Sequence, residues 1–225
     1  MLTSTNITVP ASLVEDACIM LGGIDFKLSI NAPTGRFFYD RWEIREEFAG
    51  TPLDKLVSYL PTAEIGEARI IRLSPGNSYL AHSDMDDRYH LNLQSSCSYL
   101  IDIDSEVMHK IERDLTWYIM NAGVRHTAAN FGEMDRYQLV VRKLLNINQF
   151  DNPITIEITV NKTVPRFRYI FDKDISPWLN RANKNNMVSD FEYTSETSIK
   201  FVTDINTVHE ICAIIPEEFN VRVNR

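Results

Sequence analysis

Four short stretches of the chain carry side chains that could do chemistry together. The first is His82-Ser-Asp84: if residues 81–84 are extended, a step of two places both side chains on one face. A second imidazole, His126 on a distant strand, would complete two nitrogens and one carboxylate around a divalent metal. That is the facial set used by non-heme Fe(II) oxygenases, and it leaves three coordination positions open. Those positions suit a chelating 2-oxo acid and dioxygen. Arg136, ten residues after His126, supplies a complementary part. Its planar guanidinium grips a carboxylate through two parallel hydrogen bonds, which a lysine cannot do. With 2-oxoglutarate as co-substrate, the keto-acid end chelates iron and the far carboxylate needs such an anchor. Arg88 and His90 share the polar face of an alternating strand with Asn92 and Gln94. Burying that face is costly unless each group finds a partner, and a bound dicarboxylate is one way to supply it.

Other readings of the same residues stay open. His-x-Asp alone is a weak signal, and a lone His82 or His126 reads as a hydrogen-bonded structural histidine. Asp86 and Asp87 are rival carboxylates, read as loop or rim residues. His90 could itself ligate the metal. His109 sits among charged neighbours and reads as solvent-facing, and His209 has no ligand at suitable spacing in its own segment. Trp117, Phe131 and Tyr137 read as barrel packing, with the alternative that an aromatic at the mouth touches substrate. A cupin-like zinc or manganese hydrolase or isomerase would explain His82, Asp84 and His126 but leaves Arg136 unaccounted for. A non-catalytic binding module would need none of the four. No P-loop, dinucleotide fingerprint or Gly-x-Ser-x-Gly elbow is present.

The elements that must position these residues are mostly short strands. Glu67 to Leu73, Arg88 to Gln94, Tyr99 to Ile103, Val107 to Ile111, Leu115 to Met120 and Tyr137 to Leu144 read as extended, with Ser74-Pro-Gly-Asn77 as a turn. Such a series predicts a barrel or jelly roll rather than a parallel sheet. The first sixty residues read as mainly helical. Ser12-Leu-Val-Glu15 resembles a capping box for a helix closed by Gly22-Gly23, and Thr51-Pro52 opens a second with Leu53, Leu56, Val57 and Leu60 on one face. After Gln149 the expectation is strands at Ile154 to Val160, Phe167 to Phe171 and Ser198 to Val202. Helices are expected at Ser176 to Asn183 and Ile205 to Ile215. The predicted division is residues 1–149, the barrel with its helical support, and residues 150–225, a small α+β appendage that would cover the barrel mouth or form a homodimer contact.

Bulk properties narrow the class further. The 225 residues include 23 Lys plus Arg against 31 Asp plus Glu, a formal net charge of −8, which repels phosphate backbones and argues against nucleic acid. The longest apolar runs, residues 17–23 and 211–216, fall far short of the roughly 20 residues that span a bilayer. The start lacks a cationic, then apolar, secretory pattern, so the expected location is cytoplasmic. Cys18, Cys97 and Cys212 are odd in number and far apart, and read as reduced, mostly buried thiols.

In order, Arg72-Leu-Ser-Pro-Gly-Asn-Ser-Tyr-Leu-Ala-His82, Arg88-Tyr-His90-Leu-Asn-Leu, Trp117-Tyr-Ile-Met-Asn-Ala-Gly-Val-Arg-His126 and then Arg136 resemble the aspartyl/asparaginyl β-hydroxylase family. The likeness spans about residues 67–141. It implies a double-stranded β-helix (jelly-roll, cupin-like) that binds Fe(II) and oxidises 2-oxoglutarate with O2 alongside an amino-acid or peptide substrate. By position, the resemblance makes His82 and His126 iron ligands and Arg136 the clamp for the distal carboxylate, with Arg88 and His90 seating the co-substrate. The family's animal members have Gly at the place of Asp84, so the full His-x-Asp…His triad is more like bacterial free-proline hydroxylases of the same superfamily. Ile71 stands where they carry a serine, so one contact to 2-oxoglutarate would be made otherwise.

Overall fold

Between residues 65 and 143 the chain passes back and forth between two antiparallel sheets. The computed structural model describes residues 1–160, 170–217 and 219–224. Strands β1 (Leu2–Thr8), β2 (Lys27–Ser29), β5 (Ile65–Leu73), β6 (Arg88–Gln94), β9 (Thr116–Met120) and β11 (Arg136–Lys143) form a sheet in the order β1-β9-β6-β11-β5-β2. Strands β7 (Ser98–Asp102), β8 (Val107–Lys110) and β10 (His126–Asn130) form the second, in the order β10-β7-β8. Residues 78–82 join it through bridges from Ser78 to Ala129 and from His82 to His126. Read along the chain, β5, the 78–82 segment, β6, β7–β8, β9, β10 and β11 alternate between the sheets. That order is a double-stranded β-helix, as the strand series predicts.

Strand register gives the large sheet two unlike faces. Ile70, Leu139 and Leu91 lie side by side, as do Ala68, Val141 and Tyr89. Helices α1 (Ala11–Ile19) and α2 (Pro52–Val57) cover this face with Val14, Ala17, Leu53, Leu56 and Val57, all buried. Each fully buried Leu or Val contributes on the order of 2 kcal/mol, so this face anchors the fold. The opposite face looks into the barrel and is polar. Arg69, Val140 and His90 form one row, Arg142 and Arg88 lie in the next, Ile71, Gln138 and Asn92 lie on the other side, and Leu73 with Arg136 ends the series. Leu73 and Met120 of this face meet Leu100 and Ala128 of the small sheet in a second apolar cluster, which closes the barrel.

The N-terminal part differs from the helical expectation. Leu2–Thr8 is an edge strand on β9, with Leu2 opposite Met120, and β3 (Asn31–Pro33) pairs with β4 (Trp42–Ile44) as a hairpin. Helix α1 begins two residues after Val9: extended Pro10 is its cap, the Val14 N–H donates to the Pro10 carbonyl, and no side chain caps it. Ser12 therefore lies inside the first turn, and the Ser12–Glu15 capping box does not form. At α2 the expected start is present, with Thr51 accepting from the Asp54 N–H. No thiol is buried: Cys18 and Cys212 are half-buried and Cys97 is exposed, contrary to the sequence reading. Phe131, expected in the packing, is also exposed.

Two compact units emerge: residues 1–82 with 86–144, and residues 83–85 with 145–225. In the second, β12 (Pro153–Val160), β13 (Val188–Ser195), β14 (Ser198–Asp204) and β15 (Phe219–Asn224) order as β13-β14-β12-β15, with helices α3 (Ser176–Lys184) and α4 (Val208–Ile214). Of the strand expected at Phe167 to Phe171, residues 167–169 lie outside the described residues. Phe171 opens a π-helical turn, Phe171–Ile175, that runs into α3. The helix expected from Ile205 starts at Val208, because the Asp204 carboxylate draws the Asn206 N–H into a turn. Strand β13 escapes sequence reading for a local reason. Asp190 has a positive φ of 54° inside it, a bulge that breaks the alternation. No helix among the described residues is long and apolar enough to cross a membrane.

Candidate metal centre

His82 and His126 are direct cross-strand partners. The His82 N–H donates to the His126 carbonyl at 2.9 Å, and the His126 N–H returns the bond at 2.8 Å. Side chains opposite each other in such a pair leave the sheet on the same side, and the two imidazole centroids lie 4.5 Å apart. A register irregularity lies just before this pair. From Ser78 to His82 the chain takes four steps, while its partner takes three from Ala129 to His126. The extra residue is a bulge, and it reverses the in–out parity along the strand. Tyr79 turns inward to the second apolar cluster, His82 also faces the site, and Leu80 is pushed out to 90% exposure.

Both rings are oriented by the same device. His82 Nδ1 lies 2.8 Å from the Leu80 carbonyl, and His126 Nδ1 lies 2.8 Å from the Val124 carbonyl. A carbonyl can only accept, so Nδ1 carries the proton and Nε2 becomes the nitrogen that can ligate. Asp84, two residues past His82, brings its carboxylate to them. One ligand atom from each of His82, Asp84 and His126 lies within 4.8 Å of the others. Two neutral imidazoles and a carboxylate are a donor set for a divalent first-row metal, bound at about 2.0–2.2 Å. Among the described residues this is the one group of His, Cys, Asp and Glu side chains close enough to share an ion. The donors fit a metal.

Around this group the barrel interior is cationic, and several of its polar side chains are buried. His90 is 6% exposed, and neither ring nitrogen has a hydrogen-bond partner among the described residues. Burial first, then the positive Arg88 and Arg136 and the neighbouring His126, push its pKa well below the usual imidazole value. It is a neutral ring at pH 7. Arg136 is 1% exposed, and its Nη2 donates to the Tyr79 hydroxyl at 3.3 Å with the guanidinium 5.6 Å from the Tyr79 ring centroid. Its Nε and Nη1 are buried without a partner among the described residues. Burial lowers the Arg136 pKa and raises that of Tyr79. A buried, partly unsatisfied guanidinium fits a carboxylate ligand. By contrast, Asn92 and Gln138 on the same face satisfy each other at 2.6 Å.

Arg88 and Asp86 correct and extend the sequence reading. Asp86 is 1% exposed rather than a rim residue, with Arg142 hydrogen-bonded to it and Arg88 at 3.6 Å. Glu67 joins them, paired with Arg69, with Lys27 at 2.5 Å and with Arg142 at 3.2 Å. Burial alone would raise the Glu67 pKa, but Arg69, Lys27 and Arg142 outweigh it and hold the carboxyl at about 2. Tyr79, Arg69 and Arg142 are site neighbours that sequence reasoning did not find. Arg69 and Arg142 occupy inward positions of alternating strands, a signal that was available; Tyr79 depends on the bulge. His109 is half-buried on β8 rather than fully solvent-facing.

No family model matches the chain, and no curated protein matches it. Among solved structures it is similar to an oxidoreductase of the 2OG-Fe(II) oxygenase family from Burkholderia pseudomallei. That likeness has 10% identity and a TM-score of 0.44, over 64% of this chain and 83% of that one. The viral collagen prolyl hydroxylase vCPH of Paramecium bursaria Chlorella virus-1, in its 2OG complex, gives 10% identity and a TM-score of 0.42 over 64% and 96%. HygX from Streptomyces hygroscopicus, with nickel and 2-oxoglutarate bound, gives 9% and 0.42 over 66% and 85%. The strand order described above stands independently of these likenesses.

Proposed function

We propose that the chain is an Fe(II)- and 2-oxoglutarate-dependent dioxygenase that hydroxylates an unactivated carbon of an amino acid, free or within a peptide. The balanced reaction joins substrate, 2-oxoglutarate and O2 to give hydroxylated substrate, succinate and CO2. One observation carries the reading. Two cross-strand histidines with matched Nδ1 anchors meet a carboxylate, and the same barrel interior buries an arginine with two donor nitrogens that have no partner among the described residues. A zinc or manganese hydrolase would use the triad but leaves that arginine without a task.

His82, Asp84 and His126 would hold the iron, which when bound supplies the redox chemistry that couples oxidation of the 2-oxo acid to oxygen insertion. Three protein ligands leave room for a bidentate co-substrate. Arg136 would receive its distal carboxylate on Nε and Nη1, with Tyr79 holding the third nitrogen and fixing the plane of the guanidinium. Neutral His90 would offer a donor to the keto-acid end without repelling the metal, and Arg88 would add positive charge beside it. Leu73, Leu100, Met120 and Ala128 form a buried apolar cluster between the sheets, which would limit the access of water to the barrel interior. Substrate specificity in this reading falls to residues at the mouth, and the family-like motif order points to an amino-acid side chain.

The test is direct. Purified protein with Fe(II), ascorbate and 2-oxoglutarate is incubated with a panel of amino acids and peptides, and products are read by mass spectrometry. Succinate formation together with the gain of one oxygen atom on a panel member supports the reading. No succinate above background with any of them, from protein shown to bind iron, overturns it.

A further inference from the structure

The stretch that delivers the carboxylate ligand belongs to neither sheet. His82 is the last residue of one rung and Arg88 the first of the next, where it faces Arg142 and Met120. Asp84 lies between them, so strand pairing does not fix its place. What fixes the following residues is the end of β11. The Lys143 N–H donates to the Asp87 carbonyl at 2.8 Å, and the Arg142 guanidinium is hydrogen-bonded to the buried Asp86 carboxylate through Nη1. Through Nε the same guanidinium reaches Glu67 at 3.2 Å. Arg142 thus bridges two buried carboxylates with different edges of one planar group, a task for which an ammonium is a poor substitute.

Its remaining face is braced by aromatic rings. The Arg142 guanidinium lies 5.2 Å from the Phe37 ring centroid and 6.0 Å from that of Phe38. Both belong to the loop of the β3–β4 hairpin, whose tip is itself stiff. Phe37 packs edge-on against Trp42 at 5.1 Å, and Trp42 Nε1 donates to the Phe37 carbonyl at 3.2 Å. Asp40 accepts from the Arg36 N–H at 2.6 Å, and a Cβ on Gly35 would come within 2.5 Å of that carboxylate. A preorganised aromatic tip therefore restricts the guanidinium to one pose.

We propose that Arg142 is a positioning residue for the metal centre: by gripping Asp86, two residues beyond Asp84, it holds the carboxylate ligand against the paired histidines, and the hairpin tip braces it. This rests on the metal reading given above. Outer partners that orient metal ligands change metal affinity by about 10- to 100-fold when removed, so the effect is measurable without turnover.

The experiment titrates wild-type protein and variants with Co(II) alone, following visible absorption, at temperatures well below each melting point. Arg142→Met should weaken Co(II) binding by about 10- to 100-fold and alter the band shape. Arg142→Lys should recover part of that loss, and Phe37→Ala, which leaves the ion pairs in place, should weaken binding severalfold. Arg72→Met, which breaks a 3.0 Å pair with Asp135 elsewhere on the sheet, should bind as wild type does. Should Arg142→Met fail to fold, Arg142→Lys and Phe37→Ala decide the matter. Wild-type affinity and band shape in these variants overturn the positioning role alone. A wild-type protein that takes up no Co(II) overturns the metal reading and this role with it.

Discussion

Replacing Arg136 with Met should make the ligand-free protein more stable and the co-substrate bind more weakly. The first half follows from burial. Arg136 is 1% exposed, and Nε and Nη1 have no partner among the described residues. A buried donor left unsatisfied costs about 1–3 kcal/mol, so the pair costs roughly 2–6 kcal/mol in the free protein. Methionine keeps most of the side-chain volume and removes both donors. It also removes the hydrogen bond and the stacking contact with Tyr79, together worth about 1–2 kcal/mol. At the middle of these ranges the net expectation is a gain of about 2–3 kcal/mol, or roughly 4–12 °C in melting temperature for a chain of this size. The second half follows from charge. Loss of a two-pronged, charge-assisted grip on a carboxylate removes about 3 kcal/mol, near a hundredfold in Kd. Thermal melts with Mn(II), with and without 2-oxoglutarate, read both quantities, because a ligand that binds only the folded state raises the melting temperature. A lower melting temperature in the variant, with the 2-oxoglutarate shift intact, would refute the reasoning.

Two further outcomes follow from the geometry. His126→Ala removes a ligand nitrogen and should abolish Co(II) uptake while the protein still melts cooperatively; Leu80→Ala keeps the backbone carbonyl that anchors His82 Nδ1 and should keep Co(II) uptake, and retained uptake in His126→Ala would argue against the metal reading. Glu67 should make the fold acid-sensitive at low pH. Its carboxyl is held at about 2 against an ordinary 4.5, so its ion pairs contribute above the ordinary value and are lost as pH falls from about 4.5 through about 2, a loss of roughly 2–3 kcal/mol. Denaturant midpoints measured across that range should fall less steeply in Glu67→Gln, and parallel slopes for the two proteins would argue against the assignment.

What the sequence revealed and what it hid divide along local and non-local causes. Arg88 to Gln94 was legible to the residue, because strict alternation of polar and apolar side chains needs no partner to be recognised. The order of His82, Asp84, His126 and Arg136 was legible as donor chemistry. The bulge at Leu80 was not, since it is a mismatch between two segments nearly fifty residues apart, and without it Tyr79 has the wrong parity to face Arg136. Asp86 looked like a loop residue because its partner Arg142 lies 56 positions away. Strand β1 was hidden by composition: Leu2–Thr8 is mostly polar, and only pairing with β9 makes it extended. The cysteines misled because half-burial of Cys18 is set by α1 resting on the sheet, not by residue type.

The central claim is that one divalent ion and one 2-oxo dicarboxylate bind together inside the barrel. Anaerobic calorimetric titration of 2-oxoglutarate into Fe(II)-loaded protein tests it most directly. One equivalent should bind to the wild type, with binding abolished when iron is withheld or when Asp84 is changed to Ala, and weakened by about a hundredfold in Arg136→Met. Binding of equal strength in all four cases would contradict the account.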